Sequence, residues 1–315
     1  MEHRKLTRYL ISLMMILIMV GLAEWTDEKE ILFPEMTALI IGLLIIDKRV
    51  WNVKRWQIIL LMTLGAVAGI CIVRYSPLPY VVNLCAAFVF AGASLLISRA
   101  TLIPLISACV LPVLLHTESI IYPIAVFSMS VSVVLVQIIL EKCGIRNRMP
   151  KSVGRKPGKE DIIRWLILFC FVGALAGLAV SMDYPYLILP PLMVTFVEMV
   201  NSKAGFKNRP TQVFLFLATA ATLGTVLQIV GHHHLHLPES IIALTIAAIL
   251  FLIFEWTGKY FAPAGALAFI PMLLPQEGLG WLPLEASIGA ALFITIAMVV
   301  FQKCYKWNRA QLIFC

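Results

Sequence analysis

The chain has 315 residues, 61% of them hydrophobic and 13% charged, with a mean hydropathy of +0.93. A soluble domain carries about 25% charged residues to cover its surface, so this balance excludes one and calls for a polytopic membrane protein. The net charge of +8 would suggest a nucleic-acid partner in a soluble chain, but its distribution here ties it to a membrane.

The first apolar run, Tyr9–Leu22, follows Arg4, Lys5 and Arg8, as a secretory leader does. No small-residue cleavage site follows, because the run ends in Glu24-Trp25-Thr26-Asp27, so it reads as a retained first helix. Five more apolar segments complete the first half: Ile31–Ile46, Trp56–Val73, Tyr80–Ile97, Leu102–Leu115 and Ser119–Leu140. The second half has Ile162–Val180, Tyr186–Val200, Gln212–Val230, Ser240–Trp256, Phe261–Leu274 and Leu282–Val300. A spanning helix needs about 20 apolar residues. The second and fifth segments of each half fall short of this, and all four contain proline: Pro34, Pro104, Pro190 with Pro191, and Pro263 with Pro271.

The turns between segments set the expected topology. With the N-terminus cytoplasmic and every segment crossing, 23 of the 25 Lys and Arg fall inside, all but Lys29 and Arg74. The outer turns carry Asp27, Glu28, Glu30, Glu118, Asp183, Glu239 and Glu277. This is the positive-inside pattern of a multi-pass protein of the cell (inner or plasma) membrane with both termini cytoplasmic. The basic, Gly- and Pro-containing stretch Glu141–Asp161 joins the halves, suited to a flexible linker beside anionic headgroups. The expected organisation is a membrane repeat over 1–141, a linker over 142–161 and a second repeat over 162–315.

Two apolar stretches echo one another. An offset of 159 residues puts Pro104 on Pro263, Pro112 on Pro271, Pro79 on Pro238, Ser98 on Thr257 and Glu118 on Glu277. Upstream, an offset of 155 puts Lys48 on Lys203, Trp51 on Phe206, Gln57 on Gln212 and Gly69 on Gly224. This reads as a tandem duplication. With six segments per half, the repeats are parallel, related by an axis along the membrane normal. The fold class is therefore all-α, two parallel repeats of about six segments each, with short proline-broken helices.

Short, proline-interrupted segments at matching places in two halves point to a transporter's binding site; kinked packing helices are the plain alternative. Arg99 precedes the first such segment and Lys259 the second. A helix starting near Pro104 or Pro263 turns a positive dipole end and free N–H groups toward that mouth, where anions bind. Ser107 adds a hydroxyl, and Gly265 leaves the backbone open to close approach. The expected substrate residues are thus Pro104, Ser107, Pro263, Gly265, Arg99 and Lys259; as plain alternatives, Arg99 and Lys259 are inner-loop anchors. Within apolar segments the ionisable residues are Glu35, Glu198 and Glu255, functional candidates by their cost. Their plain readings are water access for Glu35, pairing with Lys203 for Glu198 and with Lys259 for Glu255.

No nucleotide-binding loop, nucleophile elbow or repeated metal-ligand spacing is present. The run His232-His233-His234-Leu235-His236 has no Cys, Asp or Glu among it, and no metal site is assigned there. Seven cysteines, none in a close pair, make no disulfide framework. No catalytic residue and no cofactor are expected.

The stretch Phe261-Ala-Pro-Ala-Gly-Ala-Leu-Ala-Phe-Ile-Pro271 resembles the signature of the HPP family of integral membrane proteins, a His-Pro-Pro motif running into Ala-Gly-Ala. Pro263 to Ala266 match it, while Phe261 stands for the histidine and Ala262 for the first proline. The first half resembles the family only through the internal repeat. The resemblance implies a small-anion permease, some members being associated with nitrite. A looser similarity to aromatic-acid exporters of the fusaric acid resistance type also implies anions. The reading is a transporter of a small or organic anion, with the bilayer and the solute as its partners. A membrane-embedded enzyme acting on lipid and a non-catalytic membrane subunit remain as alternatives, and association with a second copy is left open.

Overall fold

The computed structural model describes residues 2–149, 157–201 and 209–304, all helix and connection with no strand among them. Twelve helices follow in order: α1 (Glu2–Thr26), α2 (Pro34–Ile40), α3 (Arg55–Tyr75), α4 (Tyr80–Ser98), α5 (Leu105–Leu115) and α6 (Ile121–Lys142). Then come α7 (Lys159–Ser181), α8 (Pro190–Asn201), α9 (Pro210–Leu227), α10 (Glu239–Thr257), α11 (Ala262–Phe269) and α12 (Leu282–Ile296). α2 runs on as a π-helical stretch, Ile41–Ile45, and α11 as a 3-10 stretch, Ile270–Leu273.

Eight stretches, those of α1, α3, α4, α6, α7, α9, α10 and α12, are long and apolar enough to cross a membrane. The chain is a multi-pass membrane protein. Only 22 to 44% of the apolar window of each is buried. The rest is an apolar face, shown best by α1, where Leu6, Leu10, Met14, Ile18 and Leu22 recur every fourth residue and are exposed. Such a stripe suits lipid, since the period of 3.6 keeps these positions on one side.

The other four helices, α2, α5, α8 and α11, are short and lie within. Every residue of α2 and α11 is buried, as are Leu105–Val113 of α5 and residues 190–200 of α8. At about 1.5 Å per residue they are roughly 10 to 18 Å long, well under a membrane's apolar thickness. Their prolines stand mainly at helix starts rather than in their middles. Pro34 and Pro263 occupy the first turn, Pro190 opens α8 and Pro104 is the N-cap of α5. Proline suits that position, where its fixed φ is helical and its missing N–H has no helical partner to lose. Pro112 is the exception, inside α5.

The long helices wrap this inner group. α3 packs on α5 and α6, and α9 on α11 and α12; α1 lies along α10, and α4 along α7. The inner helices pair as α2 with α11 and α5 with α8, while α8 also touches α11. Close approach comes from glycine: a Cβ on Gly69 would meet the Cys109 carbonyl and, at 3.0 Å, Cγ of Pro112. A Cβ on Gly224 would meet the Ala268 carbonyl and, at 3.1 Å, Cγ of Pro271.

The C-terminal end of the α2 stretch is closed by two buried arginines. Arg8 donates to the Ile45 carbonyl at 2.7 Å and pairs with Asp47; Arg146 donates to the Ile46 carbonyl at 2.7 Å. Guanidinium groups satisfy orphan carbonyls there and oppose the negative dipole end. Burial, with Arg8 alongside, pushes Arg146 down to about 10, against Glu141 and Asp47, so it stays charged at neutral pH.

Candidate functional site

A small cavity lies where the four inner helices meet. Glu35 of α2, Pro104 and Ser107 of α5, Glu198 of α8, and Pro263 and Ala266 of α11 line it. Ala38, Pro191, Val194 and Ala262 complete the wall. Its volume is about 10 Å³, room for roughly one water. Three first turns, those of α2, α8 and α11, and the N-cap of α5 reach it, so four helix N-termini converge on one space.

These N-termini offer fewer free donors than their number suggests. Pro34, Pro190, Pro191 and Pro263 have no N–H. Amides that follow bond to the preceding turn: Met36 to the Phe33 carbonyl at 2.8 Å, Leu105 to Leu102 at 3.1 Å, Leu192 to Leu189 at 2.9 Å and Ala264 to Phe261 at 3.2 Å, while the Glu35 amide lies beside its own carboxyl. What remains at the cavity is the positive end of each helix dipole.

The acids are the polar feature of the wall. Glu35 is 1% exposed and takes a hydrogen bond from the Ser107 hydroxyl on Oε1, while its Oε2 has no partner. Glu198 is 3% exposed and accepts a bond from Trp51 Nε1 at 3.1 Å. Trp51 is buried in the α2–α3 connection, and its ring lies where a side chain on Gly42 would go, 2.5 Å from a built Cβ. Near Glu35, Tyr122 of α6 stands edge-on to Phe33 with ring centroids 6.1 Å apart, and its hydroxyl donates to the Ala108 carbonyl at 3.1 Å. Tyr122 also lines a vestibule of about 360 Å³, with Lys29, Glu30, Thr117 and Tyr186, at the end of the molecule that carries the α1–α2 and α5–α6 turns. Neither Trp51 nor Tyr122 stands out in the sequence as part of a site, because both reach it through contacts distant along the chain.

Of the expected substrate residues, Pro104, Ser107 and Pro263 line the cavity. Gly265 faces α2 instead, where a Cβ would meet Ile41 and, at 3.2 Å, Thr37. Arg99 is the exposed, left-handed C-cap of α4 and lines a separate pocket of about 160 Å³ with Asn52, Thr101, Asp161 and Arg164. Lys259 is half-buried and donates to Gln212 Oε1 at 2.7 Å, away from the cavity. Glu255 is 37% exposed and pairs with Lys5 at 2.7 Å rather than with Lys259, also accepting bonds from Tyr9 and Tyr260. A helical spacing of four residues did not produce its ion pair because Lys259 lies past the end of α10, beyond Gly258 in the left-handed region at φ 64°. The expected Glu198–Lys203 pair lies outside the described residues, as do parts of the 142–161 linker and the C-terminus.

No group of three or more His, Cys, Asp or Glu among the described residues is arranged to hold a metal. His232 contacts the Leu237 carbonyl at 3.1 Å and Glu239 at 3.7 Å.

The class this defines is a multi-pass membrane protein with a buried, acid-lined centre. Comparisons with family models, curated proteins and solved structures find no match.

Proposed function

We propose that the chain is a secondary transporter of a small or organic anion, working without ATP hydrolysis of its own, with its site at the central cavity. The observation that carries this reading is the convergence of four helix N-termini from both halves on one buried space. Irregular backbone and short helices at such a centre are tolerated where they line a cavity or pack inside protein. Four positive dipole ends favour a negative group there. The resemblance at Phe261–Pro271 points the same way.

The matching glycine contacts of Gly69 and Gly224, and the matching packing of α3 and α9, support a tandem duplication with parallel repeats. The basic character of the connections between α2 and α3, α6 and α7, and α8 and α9 supports cytoplasmic termini in the cell membrane. A cavity with room for one water is closed, so transport requires the inner helices to separate toward one side and then the other. The two carboxylates favour a cationic solute as the second reading.

Uptake into proteoliposomes separates these. Nitrite, acetate and benzoate are offered against sodium and potassium, each corrected for protein-free vesicles. Saturable uptake of an anion is expected, with loss in Ala266→Leu, which fills the cavity, and a smaller loss in Ala266→Val. Uptake of the cations alone would remove the anion reading. An unaffected Ala266→Leu that keeps its thermal stability would remove the site.

A further inference from the structure

Glu35 and Glu198 enter the cavity from different helices, and each meets one neutral side-chain donor, Ser107 and Trp51 respectively. Neither meets a cation there: the lining contains no Lys, Arg or His. Groups on the surrounding elements do not change this. Tyr122 of α6 is near enough to interact with Glu35, but its hydroxyl is committed to Ala108; Cys109 of α5 lies beside Tyr122. α11 packs on both α2 and α8 and has no titratable residue. α12 packs on α8 and carries Glu285, whose carboxylate is engaged by the Tyr186 amide at 3.0 Å in the turn before α8. Arg8 and Arg146 sit at the far end of the α2 stretch, held by the Ile45 and Ile46 carbonyls.

Two ionised carboxylates beside a space for one water, without a counter-charge, are disfavoured by desolvation. A metal cation needs a shell of oxygens, whereas this wall supplies two carboxyls, one hydroxyl and otherwise alkyl groups. A proton needs no added volume, and the unpartnered Oε2 of Glu35 is a place to put it.

We propose that Glu35 and Glu198 are the proton-binding groups of the transport cycle, so that the solute moves together with protons. Each carboxylate takes a proton from water when the cavity opens to one side, forming the neutral acid. It returns that proton to water when the cavity opens to the other side, and no other bond changes. A neutralised wall also removes the repulsion an anion would meet on entry. The coupling rests on the transport reading; the proton binding does not.

Two measurements test the parts separately. Infrared difference spectra of the reconstituted protein, taken between acidic and alkaline buffer, read the carbonyl stretch of protonated carboxyls directly and need no solute. Two such bands are expected, one lost in Glu35→Gln and the other in Glu198→Gln; spectra unchanged by both substitutions overturn the proposal. In vesicles that accumulate one of the anions above, an inward gradient of one pH unit should raise accumulation about tenfold per proton carried, and not in either Gln variant. Anion uptake indifferent to the gradient in wild type overturns the coupling while leaving the anion reading standing. Absence of uptake for every anion removes that reading, and the infrared bands still decide the proton site.

Discussion

Gly69 in the first half and Gly224 in the second meet the same neighbours, a backbone carbonyl of the short helix beside them and the ring of a proline. The acids do not correspond in this way. Glu35 is the second residue of α2, whereas Glu198 is the ninth of α8. Counted from the helix starts, Glu35 stands where α8 has Pro191, and Glu198 where the α2 stretch has Gly42. Trp51 touches both of the latter, laying its ring on Gly42 and its Nε1 on Glu198. One glycine contact that seats a short helix against a long one is thus found in both halves, and the acids of the cavity have no such counterpart. Each half supplies one acid to the cavity, Glu35 near the start of α2 and Glu198 toward the end of α8, so the glycine contacts recur where the acids do not.

The strongest way to break the comparison is to attack the frame. Gly69→Ala and Gly224→Ala each drive a methyl group into a main-chain carbonyl that cannot rotate aside. Each should cost about 3 kcal/mol, the upper end of overpacking penalties, read as a lower unfolding temperature in detergent. Tolerance of one and not the other would end the equivalence of the halves.

A middle-sized effect concerns the acids. Ser107→Ala and Trp51→Phe each remove one hydrogen bond to a buried carboxyl while keeping most of the volume, and each should cost about 1 kcal/mol. Their double mutant sharpens the picture. A coupling of more than about 0.5 kcal/mol indicates two acids sharing one space, and additive costs indicate independent ones.

The smallest effect belongs to the periphery. Lys5→Gln breaks an ion pair whose side chains are 42% and 37% exposed. It should change stability by less than about 0.5 kcal/mol, with the difference fading as salt is raised, and leave uptake untouched. A large loss of uptake would move Glu255 from the surface into the mechanism.

The sequence carried much of this frame. The twelve apolar segments correspond to the twelve helices, and the four that fell short of a span, marked by Pro34, Pro104, Pro190 and Pro263, are the buried ones. Length and proline at a helix start are local properties, and they survive folding. Pro104, Ser107, Glu35, Glu198 and Pro263 were legible as site candidates for the same reason: each is an unusual residue for its segment. What could not be read was which of them face one another. Gly265, Arg99 and Lys259 were placed by their neighbours in sequence, and the side a residue turns to the cavity is set by helix rotation against α2, α8 and α9. Trp51 and Tyr122 were missed because an aromatic residue between or at the ends of helices is commonplace until its partner is seen, which for Trp51 lies 147 residues away.

The shortness of the four inner helices also bears on how the chain is made. A helix of 7 to 12 residues cannot rest in a bilayer by itself, since its ends would leave main-chain groups in hydrocarbon. It needs its neighbours before it can be seated. α5 finds α3 and α4 already synthesised when it emerges. α2 finds only α1, because α11, which packs along it, is translated more than 200 residues later. Until then it has α1 and then α6 for shelter, and the centre of the protein closes only when the last two helices leave the ribosome.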